Sequence, residues 1–285
     1  MAVNYNELKN NGFLKQAQKD CFSLRLKVIG GNLTAEQLFS IAELSKEYGD
    51  GYVHFTSRQA VEIPFIQLEN VDAAHAKLKT HGLENGVSGP RVRTISACQG
   101  SAVCGSGCID TYKLAVEVSD RYFGKFLPHK FKIGITGCAN NCLKAEENDI
   151  GIKGASLVEW LPDACIFCGA CSKVCRTKAI TQTETEILIE ESKCTHCGRC
   201  AKTCPTKTWN RKPAYLLSVA GTFGNRIAPG ESFLPILDNN KDLFLVIDRI
   251  LAFFEREGKT KERLRTVVER IGWDNFREEI LEVFA

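Results

Sequence analysis

A chain of 285 residues, 44% apolar and 25% charged, has room for about two domains and a full core. A formal net charge of +3, with no Lys/Arg block interleaved with aromatics, gives nucleic-acid binding little support. The most apolar stretch, 243–254, is broken by Asp248 and Arg249 and reads as a core helix, so no membrane span is expected.

The fourteen cysteines are too few for a disulfide scaffold. The polar stretch from Met1 to Asn10 shows no apolar secretory core. A cytoplasmic protein is expected, whose reduced thiols serve as metal ligands.

Residues 1–90 read as a small α+β unit. The alternating run Cys21–Ile29 suits a strand, and Gly30-Gly31 breaks it. Thr34 caps a helix, with Gln37 completing a capping box and Leu38, Ile41 and Ala42 on one face. Tyr52–Thr56 and Val61–Phe65 resemble paired strands. Asn70 starts a second helix with Val71, Ala74 and Leu78 inside. The order β-α-β-β-α is close to a ferredoxin-like fold.

Residues 91–160 and 206–285 form a second α+β unit interrupted by a Cys-rich module at 161–205. Asp242 is expected to open a helix whose core face is Leu243, Val246, Ile247, Ile250, Leu251 and Phe254. Two shorter helices are expected near 261–270 and 274–283.

Twelve cysteines fall into three quartets. Within the module, Cys165, Cys168, Cys171 and Cys175 repeat the spacing of Cys194, Cys197, Cys200 and Cys204. In two-cluster ferredoxins the fourth cysteine of each run ligates the other cluster. The expected sets are therefore Cys165, Cys168, Cys171 with Cys204, and Cys194, Cys197, Cys200 with Cys175. Zinc is the rival reading, but zinc motifs pair one C-x2-C with a distant second one. Arg176 stands where the first run would carry a proline.

The other quartet, Cys98, Cys104, Cys138 and Cys142, is split and can meet only through the fold; its spacing alone is also compatible with structural zinc, which the basic residues around it disfavour. Several glycines crowd it (Gly100, Gly105, Gly107, Gly134 and Gly137), as suits close approach of backbone N–H groups to sulfur. Arg91, Arg93, Lys130 and Lys132 flank its halves, and Arg25 and Arg58 come from the N-terminal unit. Lys130 and Lys132 share one face of an extended segment, and two adjacent cations call for an anion. Cys21 and Cys108 lie outside the quartets; Cys21 reads as a buried strand residue, and Cys108 as either a buried thiol or a second redox feature.

C-x5-C followed by C-x3-C, with Gly137-Cys138-Ala139-Asn140-Asn141-Cys142, resembles the signature of siroheme-dependent sulfite/nitrite reductases. Leu127-Pro128-His129-Lys130-Phe131-Lys132 resembles that family's sulfite site. Leu24-Arg25-Leu26-Lys27, Thr56-Ser57-Arg58-Gln59 and Gly221-Thr222-Phe223-Gly224-Asn225-Arg226 are similar to its other motifs. The layout is similar to dissimilatory sulfite reductase subunits, and closer still to the C subunit of anaerobic sulfite reductase. Ala139 replaces a common proline.

The resemblance implies siroheme and three [4Fe–4S] clusters, with Cys142 shared between one cluster and the siroheme iron. It implies Arg25, Arg93, Lys130 and Lys132 around the substrate anion, and Arg58, Gln59, Asn140 and Asn141 near siroheme carboxylates or the cluster. The implied activity is six-electron reduction of sulfite to sulfide, with electrons entering through the ferredoxin clusters of the Cys-rich module and passing to the quartet cluster and the siroheme. Reduction of nitrite to ammonia and a siroheme-free electron-transfer subunit are the alternatives. Flavin and nicotinamide fingerprints are not visible. Electrons must therefore come from flavoprotein or iron–sulfur subunits or from a ferredoxin. A single copy of the repeated half implies a homodimer or heteromer.

Overall fold

The computed structural model describes residues 4–284. The N-terminal unit opens with α1 (Tyr5–Asn10), then β1 (Phe13–Lys15) and β2 (Cys21–Arg25). β2 is shorter than its alternating pattern suggests. Leu26 still bridges to Asn85, but Gly30 and Gly31 take positive φ, 58° and 74°, and turn the chain away.

The turn leads into α2 (Ala35–Tyr48), where Thr34 and Gln37 form the expected capping box. The buried face of α2 is Ser40, Ile41, Leu44 and Ser45, whereas Leu38 and Ala42 are exposed. The apolar stripe centres near Leu44, and at about 100° per residue Ala42 points almost to the opposite side.

β3 (His54–Phe55) is shorter than expected and β4 (Val61–Gln67) longer. They complete an antiparallel sheet of order β1-β2-β4-β3. α3 (Val71–Thr80) follows with Val71, Ala74 and Leu78 buried. Asn70 precedes it without a side-chain cap bond. Ile41, Leu44, Ala74 and Leu78 pack with Phe22, Leu24, Ile63 and Ile66 in one core.

The second sheet contains β5 (Ser96–Ala97), β6 (Ile133–Thr136), β7 (Ile150–Trp160) and, after further short elements, a strand at Trp209–Val219. α4 (Thr111–Tyr122), capped by Asp110, crosses from β5 to β6. β5, β6 and β7 are parallel neighbours. Every residue of β6 is buried, as befits a strand flanked on both sides.

Between β7 and Trp209 lie α5 (Ala170–Val174), the hairpin of β8 (Ile180–Gln182) and β9 (Ile187–Ile189), and α6 (Arg199–Thr203). The strand Trp209–Val219, β10, then pairs antiparallel with β7 from Trp209↔Trp160 to Val219↔Ile150. The Cys-rich segment thus hangs from the far end of one long ladder.

The chain finishes with α7 (Asn240–Glu257), α8 (Leu264–Ile271) and α9 (Trp273–Leu281). α7 begins two residues before the expected Asp242, because Asn239 accepts the Asp242 N–H and caps it. Its predicted core face is buried throughout. No helix among the described residues is long and apolar enough to cross a membrane.

Candidate active site

Strand direction brings three of the split cysteines, Cys98, Cys104 and Cys138, within reach of one another. β5 ends at Ala97 and β6 at Thr136, so Cys98 and Cys138 follow the carboxyl ends of two paired parallel strands. The Cys98 N–H donates to the Ile135 carbonyl at 3.0 Å. The carboxyl ends of parallel strands are where α/β sheets commonly place ligands. Cys138 is buried and lies within electrostatic reach of Cys98, Cys104 and Cys108. Gly137 donates its N–H to Cys98 Sγ at 3.0 Å, which is the close approach the glycines suggest. Cys104 and Cys142 are exposed.

From Cys138 the chain doubles back to start β7 beside β6, with Ile150 opposite Ile133. This return segment, 139–149, runs the length of β6. Asn141 takes positive φ, accepts the Ala145 N–H at 3.0 Å and donates to Glu146. Asn140 is exposed and lines a cleft toward the Cys-rich unit.

The amino ends of the same strands carry the cations. Arg25, Arg58, Arg93, Lys130 and Lys132 line one cleft of about 240 Å³, together with Thr56, Ser57 and Thr94. Among the described residues, no carboxylate lines it. Phe131 is buried between the two lysines, so both reach the cleft as an extended segment requires.

Several of these side chains have partners. Arg25 pairs with Glu62 at 2.6 Å. Arg93 donates to the carbonyls of Val87 and Gly89 at 2.9 and 3.0 Å, while its Nε is buried with no protein partner. Arg58 donates to Asn148 Oδ1 at 2.9 Å and the Thr94 carbonyl at 3.2 Å. A Cβ at Gly134 would collide with the Asn148 amide, so glycine in β6 makes room for the residue that receives Arg58. Gln59 bonds both the N–H and the carbonyl of Ala97. It clasps the N-terminal unit to the residue before Cys98.

Crowding and burial shift these groups. Burial first, then Arg58 and Arg263, push Lys132 down to about 8, while Asp149 opposes the shift. Lys130 is lowered by burial and by Arg263 and Arg93. Burial holds Arg58 and Arg93 near about 10, and Asp149 supports the charge of Arg58.

Asp149 and Arg263 join the site without belonging to any of its sequence motifs. Asp149 is fully buried; its carboxylate accepts the Lys132 N–H at 2.8 Å and Arg263 at 2.9 Å. Burial raises its carboxyl against the pull of Arg263. Nothing in the sequence distinguishes Asp149 from the other acids, and Arg263 is 114 residues away.

In the Cys-rich unit one cavity is lined by Cys175, Cys194, Cys197 and Cys200, and another by Cys165, Cys168, Cys171 and Cys204. Among the described residues, no three cysteine sulfurs lie within 4.8 Å of one another. A single zinc with bonds of about 2.3 Å would hold its thiolates closer than that. The donor sets fit a larger thiolate-ligated group. Cys21 and Cys108 are both buried thiols.

Residues 88–285 match the family described as the nitrite and sulphite reductase 4Fe-4S domain, and residues 14–81 its ferredoxin-like half domain. The chain is 35% identical over 257 residues to coenzyme F420-dependent sulfite reductase of Methanocaldococcus jannaschii, covering 89% of this chain and 41% of that protein. It is 33% identical over 213 residues to the C subunit of anaerobic sulfite reductase of Salmonella typhimurium, covering 69% and 63%. It therefore spans less than two thirds of either relative. Dissimilatory sulfite reductase I superposes with a TM-score of 0.73 at 20% identity, covering 91% of this chain and 69% of that one, a likeness of fold.

Proposed function

The chain belongs to the nitrite and sulphite reductase family, and from that premise we propose that it is a siroheme-dependent reductase of sulfite, taking it to sulfide with six electrons. The observation that carries the reading is the cleft where Arg25, Arg58, Arg93, Lys130 and Lys132 converge. The 139–149 segment joins it to the split quartet through Asn148 and Asp149. A doubly charged oxyanion and a macrocycle bearing many carboxylates both need fixed cations in a water-poor site.

The residues present fit these groups. Arg93 keeps a buried Nε without a protein partner, and exposed Cys142 can present its sulfur to a second ligand. The split quartet would hold one [4Fe–4S] cluster and the cavities of the Cys-rich unit two more. Siroheme, held beside Cys142, would supply the iron chemistry of the reduction.

The protein's part is to bind the anion, exclude water and deliver protons. Arg25, Arg93, Lys130 and Lys132 hold the oxygens. Lys132, pushed down to about 8, can give up a proton near neutral pH. Arginine cannot readily do so. Gln59, Asn141 and Arg58 already bond protein partners. They shape the pocket by fixing the strands and the return segment, while Asn140 stays free to face a cofactor edge.

Lys132 favours sulfite over nitrite, since it adds a further cation to a cleft that would hold a doubly charged anion. A donor protein and a second half-repeat from another chain complete the assembly.

Lys132→Ala tests the reading. Siroheme and iron content should match wild type while sulfite turnover falls about a hundredfold. Unchanged turnover would remove Lys132 from the mechanism. Faster turnover of nitrite than sulfite by one preparation would reassign the substrate. A fully metallated protein without siroheme absorption bands would leave only the relay function.

A further inference from the structure

The Cys-rich unit meets the split quartet along a definite seam. Lys202, at the end of α6, donates from Nζ to the carbonyls of Gly105 and Gly107 at 2.8 and 3.0 Å. These glycines lie between Cys104 and Cys108. Arg211 on β10 reaches the same Gly107 carbonyl at 3.4 Å and is itself held by Ser156 Oγ at 2.9 Å. The buried Cys108 thiol lies 3.6 Å from the carbonyl oxygen of Cys197. Beside these contacts a cleft of about 200 Å³ sets Cys138, Ala139 and Asn140 opposite Cys197, Arg199 and Lys202.

The seam distinguishes the two cysteine sets of the module. Cys197 belongs to the set Cys175, Cys194, Cys197 and Cys200. The other set lies among Gln182, Ile187 and Trp209, and its Cys168 and neighbouring Ile166 are exposed.

Taking the Cys-rich unit as the electron entry to the split quartet, we propose that Lys202 is the positioning residue that holds the two together at this seam, and that the set containing Cys197 is the one that faces the quartet. The proposal rests on the reading above that both regions carry iron–sulfur clusters. One electron crosses at a time. The module side is oxidised by one electron, the quartet side is reduced by one, and no bond breaks. The electrons originate in a low-potential iron–sulfur donor protein, which the exposed set containing Cys168 would face.

The chemistry of the clamp explains why a cationic donor is needed. Gly107 and Cys108 are buried, but Cys104 and Gly105 are exposed and a Cβ at Gly105 would meet nothing within 4 Å, so the outer half of the loop lacks side-chain packing. An ammonium bonded to two carbonyls pins the loop without a side chain from either glycine, and electron transfer is steeply sensitive to the gap across which it occurs.

The test uses the full chain with its cofactors. Lys202→Met and Lys202→Arg are compared with wild type for iron, acid-labile sulfide and siroheme per chain. Hydrogen exchange of the 104–108 amides is measured on the same samples. The rate at which the siroheme bands respond to a reduced two-cluster ferredoxin is followed by stopped flow. Lys202→Met should keep its cofactors, exchange faster at 104–108 and respond about tenfold more slowly, as a misplacement of reacting partners does. Lys202→Arg should restore the rate. Arg211→Met should slow it in the same direction but less.

A Lys202→Met protein with full cofactor content and the wild-type rate would overturn the junction. A slowdown that merely tracks lost iron would overturn the positioning role. A wild-type protein with no siroheme bands would instead overturn the reading on which the proposal rests.

Discussion

β7 and β10 release the chain into two very different regions. Beyond β10, α7 buries eight side chains including Phe253 and Phe254, and α8 and α9 add Val267, Val268 and Phe276. Beyond β7, the Cys-rich segment returns to the ladder with a buried cluster of only Cys171, Ile187, Cys200 and Trp209. A fully buried large apolar side chain contributes about 1.5–3 kcal/mol. Ordering one residue's backbone costs about 1–2 kcal/mol. Ile187 and Trp209 cannot offset that for the whole segment. One region is held by excluding water; under the proposed function the other would be held by ligation of its thiolates, where binding energy becomes folding energy.

The largest effect that could break this contrast is iron removal. Stripping the protein with a chelator under reducing conditions should unfold residues 161–208 while α7, α8 and α9 stay protected. Limited proteolysis and hydrogen exchange would show it. Cleavage spread evenly over both regions, or a protected Cys-rich unit without iron, would mean the unit has a source of stability other than its ligands. The converse substitution is Phe276→Ala. The Phe276 ring packs against Phe233, Phe253 and Trp273 with centroids 4.8–6.0 Å away. Its loss should cost about 3–5 kcal/mol in denaturant unfolding, with iron content unchanged. A loss below about 1 kcal/mol would contradict the packing argument.

The two regions also differ in how they could be read from sequence. The helical core announces itself through period, since Leu243, Val246, Ile247 and Ile250 recur at helical spacing and all are buried. The Cys-rich unit announces itself through ligand spacing alone. What neither signal carries is long-range contact. Lys202 reaches Gly105 across 97 residues, and Arg263 reaches Asp149 across 114. These are ordinary charged residues in the sequence, and only the folded sheet selects them. Local rules also fail where the fold rotates an element, as at Leu38 and Ala42, or where a neighbour takes over a cap, as Asn239 does for Asp242. The paired lysines were legible because an extended segment fixes the direction of alternate side chains.

The cation cleft belongs to neither regime, and pH resolves it with the smallest effect. Among the described residues no carboxylate lines it, and burial and the like charges of Arg58, Arg263 and Lys130 lower Lys132 to about 8 against the pull of Asp149. A bound oxyanion favours the charged form and must raise that value. Affinity for an inert dianion such as sulfate should therefore be flat below about pH 8. It should then weaken by up to about tenfold per pH unit as Lys132 loses its proton, until the value of the complex is reached. Titration calorimetry of wild type and Lys132→Met across this range would isolate the effect. The variant should bind more weakly at neutral pH and lose the step near pH 8. A step that survives in Lys132→Met would belong to another group. A profile that rises with pH would mean that no lysine of the cleft carries its charge to the anion.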